Sequence, residues 1–393
     1  MSLTEYGTER RSLEPKDRDY LARLALEASG DAAVIRGLTP TGQEPDQFAL
    51  TVGGYLGRLA LPSGRVVDVG SRFATLDVLE VLRVALAIPA PLPLAWTDAA
   101  AAPLLPDIIA KAFCHQVETL TSRGLAKNYR NRLNTSPPYA GRLRADIHIR
   151  RFAARPDRLV TQTRVLTRDT VENRALLRGL LLLRHLPLAG DLPSRVRGLF
   201  PIFSSVTAIP MTADQIRAIR PTSLTRRYGD ALSLAEVIVT GMSLGPLGHG
   251  VSGNSLMFFM PRVWEAYAMA RVRAALPALK VETKYTIKIT DDPRYAEADG
   301  LVCVGGSSLV VDAKYKHSQK APSTDDIYQM VTYCHLLKVP RAALIYPQSG
   351  LDRTVKVGDI ELHVIGLSTS DDPCQDAFED RIQSLFKTAD VTS

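Results

Sequence analysis

The segment EADGLVCVGGSSLVVDAKYK, residues 297–316, most strongly constrains how this chain can fold. Two short apolar runs flank a Gly-Gly-Ser-Ser sequence, a pattern typical of two antiparallel β-strands joined by a tight turn. A four-residue turn over Gly305–Ser308, or a two-residue turn at Gly306–Ser307, places residue 301 opposite residue 312 and residue 299 opposite residue 314. Because side chains alternate between the faces of a strand, Asp299, Asp312 and Lys314 then share one face. The pattern predicts two carboxylates and a lysine gathered at the end of a β-hairpin.

Two carboxylates on one face of a hairpin are suited to binding a cation. Opposed residues have Cβ atoms about 5 Å apart and diagonal ones about 7 to 8 Å, so Asp299 and Asp312 can share one metal ion. Two carboxylates, water and a phosphate oxygen give the oxygen-rich set that Mg²⁺ prefers, and Mn²⁺ is the other ion we expect to bind. Lys314 would orient a water molecule or neutralise developing negative charge. The cluster therefore predicts metal-dependent hydrolysis of phosphodiester bonds.

A simpler interpretation of the same three residues stays open. Asp299 and Lys314 could form a cross-strand ion pair, while Asp312 caps the exit from the hairpin. Aspartate and lysine are common residues, and many hairpins end in charged side chains. The spacing alone therefore does not decide between an active site and an ordinary hairpin.

The helices on either side of the hairpin favour the catalytic interpretation. In the downstream helix DDIYQMVTYCHLL, Gln329 and Tyr333 lie four residues apart and so share one face. In the upstream helix, Glu265 falls on an apolar stripe, where an unpaired carboxylate is unusual. We therefore add Glu265, Gln329 and Tyr333 to the candidate catalytic residues.

The chain has 393 residues, of which 46% are hydrophobic, and this length suggests two or three domains. Proline-rich and glycine-rich segments indicate boundaries near residues 95 and 245. We predict an α/β protein, α+β overall, with a β-hairpin-rich domain over residues 1–95. A mainly helical middle domain with one basic strand pair, GRLRADIHIRRF and RLVTQTRVLTR, follows over 96–245. The last domain, 246–393, is predicted as a mixed central sheet flanked by helices.

The middle domain contains a strongly basic segment. Residues 123–158 include ten Lys or Arg against two Asp, with aromatic residues interleaved, and the net charge of the chain is +7. This pattern suits phosphate contacts with occasional base stacking. The alternative is a solvated face whose arginine stems cover apolar surface. The candidate DNA-binding residues are Arg130, Arg132, Arg142, Arg144, Arg150 and Arg151, together with Lys316 beyond the hairpin.

The remaining features narrow the class of protein. The N-terminal sequence MSLTEYGTERRSLEPKDRDY is charged throughout, and no apolar run reaches the roughly 18 residues needed to span a bilayer. We therefore expect a cytoplasmic protein without a membrane partner. The four cysteines are far apart and form no CxxC, so neither a zinc site nor a disulfide framework is expected.

The order of these motifs resembles the core of the PD-(D/E)xK nucleases, and most of the chain resembles the McrC family. That family comprises the nuclease subunits of McrBC-type, 5-methylcytosine-specific restriction systems. The resemblance lies in VGGYLGRLALPSGRVVDVGSRF, GRLRADIHIRR, RDTVENRALLRGLL, RRYGDALSLAEVIVTGMSL, NSLMFFMPRVWEAYAMARV, ADGLV, VVDAKYK, DIYQMVTY and LHVIGLS. It implies a C-terminal PD-(D/E)xK domain with Asp299, Asp312 and Lys314 as catalytic residues. The family usually has proline before the first aspartate, whereas Ala298 stands there in this chain, which affects the local backbone and not the ligands.

The resemblance also implies a partner. McrC-type subunits act with a hexameric AAA+ GTPase of the McrB type, whose ring they plug with the N-terminal domain and stimulate. The chain has no GxxxxGK[ST] motif, which agrees with a separate GTPase or ATPase subunit. By resemblance, the hairpin region of residues 45–75 enters the ring, and Arg58, Arg65 and Arg72 contact it. The alternative for these arginines is ordinary solubility at a strand edge.

The sequence thus predicts a Mg²⁺-dependent DNA endonuclease subunit of a restriction or defence system. Two alternatives stay open: a non-catalytic scaffold that activates the AAA+ partner, and a stand-alone PD-(D/E)xK nuclease. The intact pair of aspartates with its lysine argues against a pure scaffold. The N-terminal hairpin domain argues against a nuclease that acts alone.

Overall fold

We describe the protein from a computed structural model. The described residues are 1–27, 32–42, 46–73, 77–86, 105–152, 155, 157–243, 254–290, 292–304, 307–316, 322–369 and 372–387. Their contacts divide the chain into two units, one formed by Met1–Ile108 with Gly241–Ser393 and the other by Ile109–Thr240. The predicted boundaries near residues 95 and 245 lie outside the described residues, so the three-domain division stays a prediction.

The N-terminal part of the first unit consists of short strands and two helices. They are β1 Ser2–Thr4, β2 Thr8–Ser12, α1 Pro15–Glu27, β3 Ile35–Pro40, β4 Gln47–Val52, β5 Tyr55–Ala60, β6 Val66–Gly70 and α2 Val78–Ala85. Strands β2, β4 and β3 form one sheet, while β1, β6 and β5 belong to a second. The predicted hairpin is present, since β5 and β6 pair antiparallel and Gly64 in the turn has φ +88. Tyr20, Leu21 and Leu24 of α1 are buried in one core with Leu50 and Val52 of β4.

A strand from the second half of the chain completes the second sheet. Strand β10, Leu256–Phe259, pairs antiparallel with β5. Gly57 of β5 permits this close approach, because a Cβ atom there would lie 2.1 Å from the carbonyl oxygen of Leu256. Residues Leu256–Phe259 thus form a strand and are not the first turn of the helix that carries Glu265. The helix begins at Met260, with Pro261 in its first turn, where proline is tolerated because no N–H is needed for a bond within the helix.

The rest of the first unit is a six-stranded sheet with helices. Its elements are α9 Met260–Ala275, β11 Lys280–Lys288, β12 Tyr295–Val304, β13 Ser307–Ala313, α10 Thr324–Leu337, β14 Arg341–Tyr346, β15 Asp352–Val357, β16 Ile360–Gly366 and α11 Asp372–Lys387. The strand order is β11-β12-β13-β14-β16-β15. The sheet is mixed, because β13, β14 and β16 run parallel while the β11–β12, β12–β13 and β15–β16 pairs are antiparallel. The mixed sheet is as predicted, whereas β15 was not predicted from the sequence.

The second unit is mainly helical, as predicted. Its elements are α3 Leu105–Ser122, β7 Asn128–Asn134, β8 Arg142–Leu143, α4 Ala145–Phe152, β9 Thr161–Thr167, α5 Val171–Leu183, α6 Leu192–Leu199, a 3₁₀ helix Phe200–Phe203, α7 Ala213–Arg217, a 3₁₀ helix Arg226–Tyr228 and α8 Gly229–Ser243. The three strands form one sheet in the order β7-β9-β8. None of the helices described in either unit is long and apolar enough to cross a membrane.

The predicted basic strand pair is corrected by the structure. Most of GRLRADIHIRRF forms helix α4, and the main partner of β9 is β7. The helix has Asp146 in its first turn and Arg150 and Arg151 in its last turn. These charges interact favourably with the helix dipole. In so short a segment, the favourable interaction of these charges with the helix dipole outweighs the alternation of apolar and polar residues that suggested a strand.

Candidate active site

The hairpin that carries the candidate residues has a different register from the predicted one. In β12 and β13, Val304 pairs with Ser307 and Gly300 pairs with Val311. The predicted pairing of residue 301 with residue 312 is therefore wrong by two positions. A shift of two leaves each side chain on the face that was predicted, because the side-chain period of a strand is two. The carboxylate of Asp299 reaches the opposite strand and accepts a hydrogen bond from the Ala313 N–H at 2.7 Å.

Five of the six candidate catalytic residues line one cavity of about 480 Å³. They are Asp299, Asp312 and Lys314 from the hairpin, Glu265 from α9 and Gln329 from α10. Tyr333 lies behind Gln329, where its hydroxyl accepts a hydrogen bond from Gln329 Nε2 at 2.8 Å. The same hydroxyl donates to the carbonyl oxygen of Glu297 at 3.3 Å. The structure therefore brings together the residues selected from the hairpin and from both flanking helices.

The ammonium group of Lys314 is held from two sides. Its Nζ lies 2.6 Å from Asp312 Oδ2 and donates to Gln329 Oε1 at 2.8 Å. The backbone N–H of Lys314 donates to the carbonyl oxygen of Ile345 in β14 at 2.8 Å. Gln329 is oriented in turn by its contact with Tyr333. These contacts fix a single positive charge beside two carboxylates.

Burial and mutual repulsion shift the pKa values of the acidic residues. Burial, and to a smaller extent the charge of Asp312, raises the pKa of Asp299 to about 7. The hydrogen bond from the Ala313 N–H lowers this pKa but does not offset the other two effects. Burial and then the charge of Asp312 also raise the pKa of Glu265. Burial alone would lower the pKa of Lys314, but the carboxylate of Asp312 more than offsets it, and the net pKa is raised. Glu265, Asp299 and Asp312 thus line the cavity together with the tightly bound Lys314, an arrangement that favours a further cation.

The donor set fits a hard divalent cation in an open site. Asp312 is only 3% exposed, and its Oδ2 has no hydrogen-bond partner of good geometry in the described part of the chain, although it lies within ion-pair distance of Lys314. No group of three or more His, Cys, Asp or Glu side chains among the described residues is arranged to enclose a metal ion. Asp299 and Asp312 would therefore share a cation with water and substrate oxygens, as is common for Mg²⁺.

Lys316 lies in the same cavity and is bound to a buried carboxylate. Its ammonium forms a 2.7 Å ion pair with Asp326 at the start of α10. Asp326 also accepts a hydrogen bond from the Tyr346 hydroxyl at 2.9 Å. The side chain of Lys316 is nevertheless 41% exposed. It is thus anchored at the rim of the cavity, where the predicted DNA contact stays a prediction.

The predicted DNA-binding arginines of the second unit do not share one face of the sheet. In the pairing of β7 with β9, Arg132 lies opposite Thr163, while Arg142 of β8 lies opposite Gln162. Opposed residues share a face and neighbours along a strand alternate. Arg130 and Arg132 therefore lie on one face and Arg142 on the other.

The other basic residues of this unit have different surroundings. Arg144 forms a 2.7 Å ion pair with Asp146 and donates to Gln162 Oε1 at 2.6 Å. Arg150 and Arg151, in the last turn of α4, are exposed. The sequence correctly indicated a basic, exposed segment but gave no information about how its charges divide between faces.

The three arginines predicted to contact a partner occupy different environments. Arg58 is only 4% exposed and forms ion pairs with Asp68 at 2.6 Å and Asp107 at 3.0 Å. This position disagrees with a direct contact to another protein, because the guanidinium is enclosed by its two carboxylates. Arg65 is partly buried and donates to the carbonyl oxygen of Ser12 at 3.1 Å.

Arg72 brings the N-terminal part of the chain to the candidate active site. Its guanidinium donates to the carbonyl oxygen of Tyr315 at 2.6 Å, directly after the candidate catalytic lysine. The hydroxyl of Tyr315 donates to Glu5 at 2.7 Å, and Tyr6 lines the cavity. Glu5, Tyr6 and Tyr315 were not predicted as site residues, since about 310 positions separate the two segments and no local pattern joins them.

The fold and the site define a mixed α/β protein with a carboxylate and lysine cluster at the end of a hairpin. Over residues 50–347 the chain matches the McrBC 5-methylcytosine restriction system component family, and it belongs to that family. The family resemblance stated from the sequence is thereby confirmed. No curated relative matches the chain in sequence.

Two solved structures are similar to this chain. One is a chain of the half-complex from the tetradecameric assembly of Thermococcus gammatolerans McrB AAA+ hexamers with bound McrC. It matches with a TM-score of 0.65 and 14% identity, over 98% of this chain and 99% of that chain. The other, from the Thermococcus gammatolerans McrBC complex, matches with a TM-score of 0.49 and 14% identity, over 70% of this chain and 88% of that chain. The first of these similarities establishes a shared fold.

Proposed function

We propose that this chain is the metal-dependent DNA endonuclease subunit of a McrBC-type restriction system, with a PD-(D/E)xK domain within residues 246–393. The observation that carries the proposal is the convergence of Asp299, Asp312 and Lys314 in one cavity. An ordinary hairpin end would not require a second buried carboxylate beside an ion pair, because an uncompensated buried charge is costly. The arrangement therefore favours catalysis over a purely structural role.

Asp299 and Asp312 are the proposed ligands for Mg²⁺, with Mn²⁺ as the alternative ion. The bound metal ion would acidify a water molecule and neutralise charge on the scissile phosphate. Asp299 must be ionised to bind a cation, so its raised pKa makes metal binding stronger as the pH rises towards and above about 7. Glu265 adds a third carboxylate at the same cavity, where it can accept a hydrogen bond from an attacking water molecule.

The other residues would orient and stabilise the reacting groups. The ammonium of Lys314 lies beside Asp312, where it can stabilise the negative charge that develops on the phosphate. Gln329 holds that ammonium in place, and Tyr333 holds the Gln329 amide. Because each group is fixed before substrate binds, little reorganisation is needed during the reaction.

Membership of the McrBC family supports a McrB-type AAA+ GTPase or ATPase hexamer as partner. The similar fold of a chain from McrB hexamers with bound McrC supports the same assembly here. We expect this complex to act on DNA in the cytoplasm. Arg65 is the remaining candidate for a direct contact from the β5–β6 hairpin, since it donates to an exposed carbonyl oxygen, that of Ser12. Arg58, by contrast, is enclosed by two carboxylates, and Arg72 binds Tyr315 beside the candidate active site.

Removing either the metal ion or the partner provides the first test. With Mg²⁺, nucleotide and the AAA+ protein of the same system, we expect DNA cleavage that falls at least a hundredfold when EDTA replaces Mg²⁺. Omitting the partner is expected to reduce cleavage strongly. Cleavage that is unchanged by EDTA would contradict the metal site. Full stimulation of the partner's nucleotide hydrolysis without any DNA cleavage would favour a scaffold instead.

The two faces of the β7-β9-β8 sheet permit a matched test of DNA binding. We expect Arg130→Ala with Arg132→Ala to weaken DNA binding and to reduce the slope of log affinity against log salt by about 2, since each phosphate contact contributes about 0.9. The control pair is Arg142→Ala with Arg164→Ala on the opposite face, which carries the other candidate of the sheet, Arg142, and where the Arg164 guanidinium lies 5.1 Å from the ring centroid of Tyr129. A larger effect of the control pair would assign DNA to the other face.

A further inference from the structure

Tyr315 is placed directly between the two lysines of the candidate active site. It follows Lys314 and precedes Lys316, at the point where β13 has ended. Its side chain is only 7% exposed and packs edge-on against Phe73, with ring centroids 4.9 Å apart. A buried tyrosine usually places its hydroxyl on a hydrogen-bond partner. In this chain that partner comes from the first few residues of the sequence.

The hydroxyl of Tyr315 donates to Oε1 of Glu5 at 2.7 Å. Glu5 is 2% exposed, and its Oε1 also accepts from the backbone N–H of Arg72 at 3.1 Å. Burial raises the pKa of Glu5, against the lowering effect of these hydrogen bonds. A carboxylate so deeply buried depends on its donors, because an unpaired charge in this environment is strongly unfavourable.

The other polar end of Tyr315 is held by Arg72. The guanidinium donates to the carbonyl oxygen of Tyr315 at 2.6 Å and lies 5.5 Å from the centroid of its ring. It also lies over the rings of Tyr6 and Phe73, at 4.3 and 4.9 Å. The side-chain hydroxyl and the main-chain carbonyl of Tyr315 are therefore both bound by the N-terminal part of the chain.

Tyr6 extends this contact into the catalytic cavity. It has φ +56, a left-handed conformation that is uncommon for a bulky residue. The preceding residue is Glu5, and Tyr6 lines the cavity together with Asp299 and Lys314. A strained backbone of this kind is held in place by its surroundings and tends to occur at functional sites. The N-terminal turn thus forms part of the wall of the site.

Over residues 314–316, the other backbone restraints are two hydrogen bonds, while the ammonium of Lys316 is paired with Asp326. The N–H of Lys314 still pairs with Ile345, but the N–H of Lys316 bonds only within the same turn, to the carbonyl oxygen of Lys314 at 3.0 Å. We propose that Tyr315, fixed by Glu5 and Arg72, is a positioning residue that holds the backbone of Lys314 so that its ammonium reaches Asp312 and Gln329. This inference rests on the proposed nuclease function. It extends that function by making the N-terminal segment a structural part of the active site.

Substitutions that remove single contacts test this role. We expect Tyr315→Phe to lower kcat for partner-dependent DNA cleavage by about tenfold or more, with KM for DNA changed less than twofold, because a small misplacement of a catalytic group affects the chemical step most. Arg72→Met should behave similarly, and Arg72→Lys, which keeps a donor for the Tyr315 carbonyl, should restore most of kcat. The matched control is Tyr228→Phe, which also removes a buried hydroxyl, one that bonds Asn173 and Ala126.

A second measurement does not depend on cleavage. Hydrogen exchange of the chain alone, followed on peptides covering residues 312–316, should be at least tenfold faster in Tyr315→Phe and Arg72→Met, and peptides from β14 should be unchanged. Wild-type exchange and wild-type kcat in Tyr315→Phe would overturn the positioning role. If the wild-type complex does not cleave DNA at all, the proposed nuclease function fails, and the exchange rates alone decide whether the N-terminal segment restrains Lys314.

Discussion

Replacing Lys314 by methionine is expected to lower kcat for DNA cleavage about a thousandfold, while Mg²⁺ still binds. Methionine keeps most of the length of the side chain but removes the ammonium that lies 2.6 Å from Asp312 and 2.8 Å from Gln329. Since this ammonium and a metal ion both neutralise the Asp312 carboxylate, its loss should leave metal affinity intact or stronger. Single-turnover cleavage and the rise in melting temperature on adding Mg²⁺ measure the two effects separately.

Two further variants show whether the loss of cleavage is specific to the ammonium of Lys314. Asp312→Asn should lose both cleavage and the rise in melting temperature with Mg²⁺, since the amide cannot replace a charged oxygen ligand. Lys280→Met, on β11 of the same sheet, removes a lysine that is 76% exposed and should cleave DNA normally. Cleavage by Lys314→Met within threefold of the wild type would remove Lys314 from the proposed mechanism. A loss of metal binding in that variant would instead assign it to the metal site.

The hairpin could be predicted from the sequence because the pattern that defines it lies within one short segment. Strand periodicity places Asp299, Asp312 and Lys314 on one face for any turn of even length, so an error of two residues in register left the site intact. The helical positions of Gln329 and Tyr333 follow from their spacing of four in the same way. For these residues, the order of secondary structure elements along the chain was sufficient.

The unpredicted features depend on contacts between distant segments. The burial of Arg58 requires Asp107, 49 positions away, and the contact of Tyr315 with Glu5 spans 310 positions. Strand β10 joins the N-terminal sheet only because β5 presents Gly57 to it. Helix α4 was mistaken for a strand because its eight residues are too few for the apolar period to decide. No single-sequence pattern contains this information.

Replacing Asp299 by asparagine is expected to stabilise the metal-free protein at pH 8 and to abolish its activity. The pKa of Asp299 is about 7 in the folded chain, whereas an unfolded aspartate titrates near 3.8. Between these values the folded state binds more protons than the unfolded state, so the stability contributed by this group falls as the pH rises from about 4 to about 7. Asparagine removes the buried charge and can still accept from the Ala313 N–H. We expect a gain of about 2 kcal/mol at pH 8, or roughly 3 to 5 °C in melting temperature.

The dependence of this stability gain on pH and on Mg²⁺ distinguishes the removal of a buried charge from a general packing effect. At pH 4 the advantage of Asp299→Asn should disappear, because the wild-type carboxyl is then protonated in the folded state. With 10 mM Mg²⁺ at pH 8 the advantage should be largely cancelled, and reversed at the tighter end of the range, since a metal ion bound with a Kd of about 0.1 to 1 mM stabilises the wild type by roughly 1.4 to 2.7 kcal/mol. Asp325→Asn, at an exposed position in α10, should show neither effect. If the stability advantage of Asp299→Asn persists unchanged at pH 4 and in Mg²⁺, then Asp299 neither has a raised pKa nor binds the metal ion.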